Sequence, residues 1–410
     1  MKNFKLLPIL LLMLLCPSLF GARSAAKKKS ASKSRAAVAR KTSAVRSRSG
    51  KSRRVARAAS RRSRHGRMLN SSAHGIRRKH PIWVQTWDEP TFRESTTGDN
   101  LDGEDLEVRR AAVTALGAYN GSVVVVDSTN GRVLTMVNQK TALGPGFQPC
   151  STIKVSVALA ALNEKIIGRT SPVHLFGRTH MDLTNALAHS NNFYFANLGV
   201  KLGYERMKSY AHLFGYGEKA GLNIVGEQAG GFPDAPPKNG GMGMLTSFGE
   251  EIHQTPLELA GLMTAIANGG TLYYLQYPKS AEEVKAFQPK VKRRLDLITP
   301  LIEDIKPGMQ GAVEFGTARR AKQEATLYGK TGTCSEGKTR LGWFGSFSEV
   351  GKRKLVVVVM LTGGRPTIGP VAAGVAGDVY RNLAQVKGLQ SEISPTIATF
   401  MPGTTLGVKE

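Results

Sequence analysis

The order of apolar periodicities along this chain predicts an α/β (α+β) fold. Its core is an antiparallel sheet built from an N-terminal hairpin and C-terminal strands, flanked by helices, with an all-helical lobe inserted between them. Three observations predict it. Ser122 to Val137 holds two β-branched runs around a turn sequence. Three further β-rich runs occupy Ala325–Thr333, Leu341–Phe347 and Leu355–Leu361. Between these groups, apolar residues recur at helical spacing. Strands from both ends of the chain must then share one sheet.

The chain has 410 residues, enough for one large domain or two ordinary ones. Residues 1–22 open with Lys2 and Lys5 and continue into an apolar run, Leu6 to Leu15. That pattern is a signal peptide or short signal anchor, too short for a comfortable membrane span. Cleavage is expected near Ala22 or Ala26, and Cys16 follows Leu-Leu rather than the small residues of a lipid-anchor signal. The net charge of +27 suggests a nucleic-acid binder until its distribution is read. Of the 57 lysines and arginines, 23 lie in residues 1–80, which hold no Asp or Glu. The remaining 34 basic and 30 acidic residues leave the rest of the chain at +4. No nucleic-acid partner is expected.

The basic stretch, residues 23–80, is dominated by Lys, Arg, Ser and Ala. It has too little apolar surface to offset its ordering entropy and reads as disordered. It is either a tether that adheres to anionic wall polymer or a membrane surface, or a solvated linker. Dense positive charge behind the apolar run opposes translocation, but the site chemistry below requires export, to the periplasm or cell envelope.

Residues 81–117 form a lead-in with Trp83, Trp87 and Pro90, then a helix that Asp105 caps, with Leu106, Val108, Ala112, Val113 and Leu116 on its apolar face. The main domain spans 118–388, with a tail at 389–410. In it, Ser122–Asp127 and Arg132–Val137 form a hairpin around Ser128-Thr129-Asn130-Gly131. Val155–Leu162, Phe193–Leu202, Tyr204–Phe214 and Pro256–Asn268 read as helices. The run Leu-Val-Val-Val-Val-Met-Leu at 355–361 suits a central strand covered on both faces. Pro370 to Leu383 reads as a closing helix.

Three short motifs carry the chemistry. Ser151-Thr152-Ile153-Lys154 sits where an extended, Gly/Pro-containing approach meets a helix. A serine there faces backbone N–H groups, which stabilise an oxyanion forming beside it. Lys154 falls on the same face one turn deeper, where burial lowers its pKa and lets it deprotonate Ser151. Alone, Ser-x-x-Lys is a chance match. Ser190-Asn191-Asn192 falls between two helical segments. Ser190 can relay a proton and Asn192 can bind a substrate backbone, although taken alone the triplet reads as a helix cap. Lys330-Thr331-Gly332-Thr333 ends a strand. Inward-facing Lys and Thr can clamp a carboxylate, and Gly332 admits a ligand backbone. Together the motifs supply a nucleophile, a base, a relay and a cationic anchor for acyl transfer through a serine.

At these residues the chain resembles the penicillin-binding protein transpeptidase domain, of the penicillin-interacting serine D,D-peptidase and β-lactamase-like superfamily. The segments Ser190–Gly230, Thr255–Gly270 and Gly316–Cys334 followed by Leu341–Phe347 are similar to that family's, and coverage runs from Gly121 to Leu383. The resemblance implies Ser151 as nucleophile, Lys154 as base, Ser190 as proton shuttle and Asn192 as a substrate contact. It implies Lys330, Thr331 and Thr333 as holders of the terminal carboxylate of a D-alanyl-D-alanine stem peptide. The N–H groups of Ser151 and Thr333 would form the oxyanion hole. The product would be cross-linked peptidoglycan, and β-lactams would acylate the same serine. No metal or cofactor is implied. Two features depart from the pattern: Ser151 and Ser190 are only 39 positions apart, a trimmed lobe, and no glycosyltransferase or pedestal domain precedes the motifs.

If both oxyanion N–H groups converge, their neighbours Cys150 and Cys334 must also lie close, and a bridge becomes plausible. Some class A β-lactamases are similar in carrying cysteines at these motif-relative positions. Two buried thiols in contact are the alternative. The cysteines pull toward a β-lactamase, but no Glu-x-x-Leu-Asn string lies between Asn192 and Lys330, and Glu227 is followed by Gln228-Ala229-Gly230-Gly231. Transfer to water, as a D,D-carboxypeptidase, and a non-catalytic wall-binding or β-lactam-sensing module remain as alternatives. A pure binder would not need Lys154. His189, His253 and Trp343 read as packing or surface residues.

Overall fold

The computed structural model describes residues 86–350 and 353–392. The expected signal segment 1–22, the basic segment 23–80 and the tail beyond Glu392 lie outside the described residues.

A five-stranded sheet organises the domain. Strands β1 (Gly121–Asp127) and β2 (Arg132–Val137) form the expected hairpin. Two short antiparallel pairs follow in the middle of the chain, β3 (Val173–Phe176) with β4 (Thr179–Met181) and β5 (Thr271–Tyr273) with β6 (Val291–Arg294). The C-terminal strands are β7 (Leu327–Glu336), β8 (Thr339–Val350) and β9 (Arg353–Gly363). The main sheet runs β2-β1-β9-β8-β7, antiparallel throughout. The two ends of the chain meet where β1 pairs with β9, Val124 opposite Val358.

Side chains alternate across a strand, and here both faces are dry. Val124 and Val126 of β1, with Val356, Val358 and Met360 of β9, enter one core; Val123, Val125, Val357 and Val359 enter the other. This is why the strand Leu355–Leu361 is apolar without interruption.

One face is covered by α1 (Leu106–Leu116) and the terminal helix, and the other by the inserted lobe. Asp105 caps α1, its carboxylate accepting from the Glu107 and Val108 N–H groups. The lobe comprises the short α2 (Gln139–Ala142), α3 (Lys154–Asn163), α4 (Leu183–Ala188), α5 (Asn192–Leu202), α6 (Tyr204–Leu213), α7 (Gly241–Phe248), α8 (Pro256–Ala267), the short α9 (Ala281–Lys285) and α10 (Ile302–Glu314). The chain closes with α11 (Gly369–Glu392). Helix α8 lies against the sheet, buried from Pro256 to Ile266, and starts with a capping box between Thr255 and Glu258.

The lobe is not purely helical, since it carries the two short strand pairs. They are three or four residues long, too short for a period-two signal. Helices α4, α7 and α10 also go beyond the sequence reading. Glycines interrupt α7, and α10 contains Pro307, Gly308 and Gly311, so local propensity argues against both. Packing explains the glycines of α10. A Cβ at Gly308 would lie 2.7 Å from Leu187 Cβ, and one at Gly311 3.2 Å from Ala188 Cβ. Helix α10 needs small residues to dock on α4, and tertiary contact outweighs propensity there.

Candidate active site

The three motifs meet at the outer edge of β7. Residues Cys150–Ile153 form a turn of 3-10 helix that runs directly into α3 at Lys154. Ser151 therefore lies in this turn and not in the first turn of an α-helix. A 3-10 helix has three residues per turn, so side chains at i and i+3 eclipse. That stacks Lys154 on Ser151, with Nζ 3.0 Å from Oγ. Ser151 is 8% exposed and Lys154 0%. The turn begins at Cys150, whose φ is +52°. A non-glycine residue in this region is strained, and such strain persists only where surrounding structure over-determines it.

Lys154 Nζ has three more oxygens within reach: Ser190 O at 2.9 Å, Ser190 Oγ at 3.1 Å and Asn192 Oδ1 at 2.5 Å. Burial, and secondarily the charge of Lys330, lower its pKa to about 6. At neutral pH the amine is uncharged, with two N–H donors and one lone pair. It can donate to the Ser190 carbonyl and Asn192 while accepting the Ser151 hydroxyl proton.

The helix-cap reading of Ser190-Asn191-Asn192 holds for one of its three residues. Asn191 is the cap of α5, its side chain accepting from Tyr194 N–H at 2.9 Å. Ser190 and Asn192 are thereby left to face Lys154. Ser190 has φ +55°, which turns its hydroxyl between two amines. Lys330 Nζ donates to Ser190 Oγ at 2.8 Å. Lys330 is 0% exposed, and burial brings its pKa down to about 7.

The third motif divides across the pleat. Lys330 faces Ser190 and Gly332 faces the Ser151 turn, where a Cβ would lie 2.8 Å from Pro149 O and 3.3 Å from Cys150 Cβ. Thr331 and Thr333 face the opposite way. Thr331 Oγ1 is 2.6 Å from Thr317 Oγ1, and Thr333 Oγ1 accepts from Gly369 N–H at 2.8 Å. Neighbouring residues point to opposite faces of a strand, so Lys330 stands on the other face of β7 from Thr331 and Thr333, its Nζ donating to Ser190 Oγ and Thr331 O with one N–H left over.

Cys150 and Cys334 are joined in a disulfide, with Cα atoms 5.5 Å apart. It ties the Ser151 turn to β7. Trp343 is core, fully buried, and its Nε1–H donates to Gln148 O at 3.0 Å just ahead of the turn. His189 is exposed and tilts against the Phe315 ring. His253 lines a separate cavity of about 550 Å³ with Phe147, Gly230 and Glu336. Glu227, the carboxylate that follows the second motif at a suggestive distance, is taken up by the Ala220 and Gly221 N–H groups. Sequence reasoning missed Thr317, which it had inside a family-like segment but without a partner. Among the described residues no cluster of His, Cys, Asp or Glu is arranged to hold a metal ion.

Residues 121–383 match the family model described as the penicillin binding protein transpeptidase domain. The chain is 26% identical over 283 residues to stage V sporulation protein D of Bacillus subtilis, covering 60% of this chain and 44% of that protein. It is 25% identical over 362 residues to peptidoglycan D,D-transpeptidase MrdA of Haemophilus influenzae, covering 68% and 55%. The chain thus spans about half the length of these curated relatives. The fold is similar to the crystal structure of PBPA from Mycobacterium tuberculosis, with a TM-score of 0.60 at 20% identity over 69% of this chain and 81% of that one.

Proposed function

The chain belongs to the penicillin-binding protein transpeptidase family, and from that premise we propose that it is a peptidoglycan D,D-transpeptidase acting through Ser151. The reading rests on one observation above the rest: a buried amine with a pKa near 6 lies 3.0 Å from the Ser151 hydroxyl.

Neutral Lys154 takes the Ser151 proton as Oγ attacks the carbonyl between the two terminal D-alanines of a stem peptide. The N–H groups of Ser151 and Thr333 receive the developing oxyanion. The proton passes from Lys154 through Ser190 Oγ to the departing D-alanine nitrogen, while Lys330 stabilises the relay. The Asn192 amide NH₂ is free for the donor backbone because its oxygen is held by Lys154. An amine of a second stem peptide then attacks the acyl-enzyme, with the same relay returning a proton to Ser151. β-Lactams enter the same first step. The disulfide holds the Ser151 turn against β7 and so sets the width of the oxyanion site. The protein acts outside the cytoplasm, in the envelope, and the basic segment contacts anionic wall polymer or membrane.

The test is incubation with a D-Ala-D-Ala donor peptide together with an amine acceptor and water, followed by mass analysis. Cross-linked product supports the transpeptidase. Free tetrapeptide alone would make it a carboxypeptidase, and rapid turnover of a fluorescent penicillin would make it a β-lactamase.

A further inference from the structure

We propose that Thr317 is a positioning residue for substrate-carboxylate recognition, acting through Thr331. The inference rests on the transpeptidase reading and adds a residue that none of the three motifs contains.

Thr317 joins two motifs that are distant in sequence. Its N–H donates to Ala188 O at 3.1 Å, two residues before Ser190, and its Oγ1 lies 2.6 Å from Thr331 Oγ1. The junction is close-packed. A Cβ on the preceding Gly316 would lie 2.1 Å from the Ala188 carbonyl oxygen, so the approach needs glycine. Thr317 is half-buried, so solvent can still reach this edge of the site.

Proton counting then assigns the role. A hydroxyl has one donor and two acceptor sites. Thr331 and Thr317 share one proton between them, and with Thr317 as the donor the Thr331 O–H is left to donate to a ligand. Thr333 accepts from Gly369 N–H and keeps its own O–H free. Thr331 and Thr333 lie on the same face of β7, two residues apart. The face therefore offers two outward O–H donors, the number a carboxylate's two oxygens take up. Without Thr317, the Thr331 hydroxyl can rotate away from the ligand, and the Thr331–Thr333 pair loses its fixed geometry. Lys330 stands on the other face of β7, its Nζ donating to Ser190 Oγ.

The test compares acylation of Ser151 by a penicillin with a free carboxylate and by its methyl ester, in wild type, Thr317→Val and Thr317→Ser. Thr317→Val is expected to lower the second-order acylation constant for the free acid about tenfold, as for a lost hydrogen bond to a charged group. The ester is expected to change little, and Thr317→Ser to restore the free-acid rate. In a Thr331→Val background, Thr317→Val should add nothing. Equal losses for acid and ester, or no loss for either, overturn the proposal. Should Thr317→Val fail to fold, Thr317→Ala is read in the same way. If wild type is not acylated at Ser151, the transpeptidase reading itself has failed, a result distinct from a Thr317 effect that is absent.

Discussion

Ser151 and Lys154 stand one above the other, Oγ to Nζ 3.0 Å, because a single 3-10 turn connects them. An α-helical turn would splay the pair by a fraction of a turn, since 3.6 residues per turn leaves i and i+3 out of line. The Ser190 hydroxyl completes the arrangement, 3.1 Å from Lys154 and 2.8 Å from Lys330. The proposed chemistry requires the two amines to differ, one neutral and one charged.

Acylation is therefore expected to be bell-shaped in pH. Lys154 accepts a proton only when neutral, so the rate rises through about pH 6. Lys330 is required as the ammonium, so the rate falls above about pH 7. The two limbs belong to the coupled pair rather than to either residue. Labelling rates with a fluorescent penicillin from pH 5 to 9 check this. A rate that keeps climbing to pH 9 would remove the ammonium role from Lys330.

Replacement of Lys154 by Ala is expected to slow acylation by a factor of about 10² to 10⁴, the usual range for loss of a general base. Lys154→Arg should be equally inactive, because guanidinium does not deprotonate. Single-turnover penicillin labelling measures both. An Arg variant that acylates at the normal rate would sink the base assignment.

Stability should rise with pH across the neutral-to-alkaline range. Both lysines have folded-state pKa values below the ordinary ammonium value, near 6 and 7. The unfolded chain deprotonates them only near about 10.4. Between these limits the unfolded state holds more protons, so the sign of the linkage favours folding as pH increases. Each group contributes at most about 1.4 kcal/mol per pH unit. Denaturant unfolding at pH 7 and 9 should show a smaller gain for Lys154→Met than for wild type.

Gly332→Ala is expected to reduce acylation more than it reduces stability. The new methyl group would meet Pro149 O at 2.8 Å and Trp343 Cβ at 3.0 Å, forcing β7 away from the turn that carries Ser151. Catalysis depends on sub-ångström placement, so a loss of tenfold or more in labelling rate is expected with folding retained. Unchanged labelling would show that the strand does not set the distance.

Cys150→Ser is expected to lower the unfolding free energy by about 2–5 kcal/mol, the common range for a native bridge. The link closes a separation of 184 residues, and loop closure stabilises more as the loop lengthens. Thermal melting with and without reductant measures the shift. If reduction lowers the melting temperature but leaves labelling intact, the bridge supports the fold and not the oxyanion site.

Much of this was legible beforehand because it is local. Unbroken β-branched runs set β1 and β9, Asp105 marks the start of α1, and Ser-x-x-Lys names its own two partners. Helix α10 was not legible, because Pro307, Gly308 and Gly311 contradict helix propensity, and the two glycines are explained only by the surface of α4. Thr317 was not legible either, since a threonine in a loop carries no signal until Thr331 lies 2.6 Å away.

The amino-acid order by itself determined which side chains could do acyl transfer, the order of the five main-sheet strands and the longer amphipathic helices, and the confinement of excess positive charge to the first eighty residues. Only the tertiary structure decided how the work is divided. The pleat of β7 turned Lys330 toward Ser190 and Thr331 and Thr333 the other way, and burial moved both lysines into the neutral range. Those outcomes depend on which surfaces meet across more than a hundred residues of chain, and neither desolvation nor pleat direction is written in any one segment.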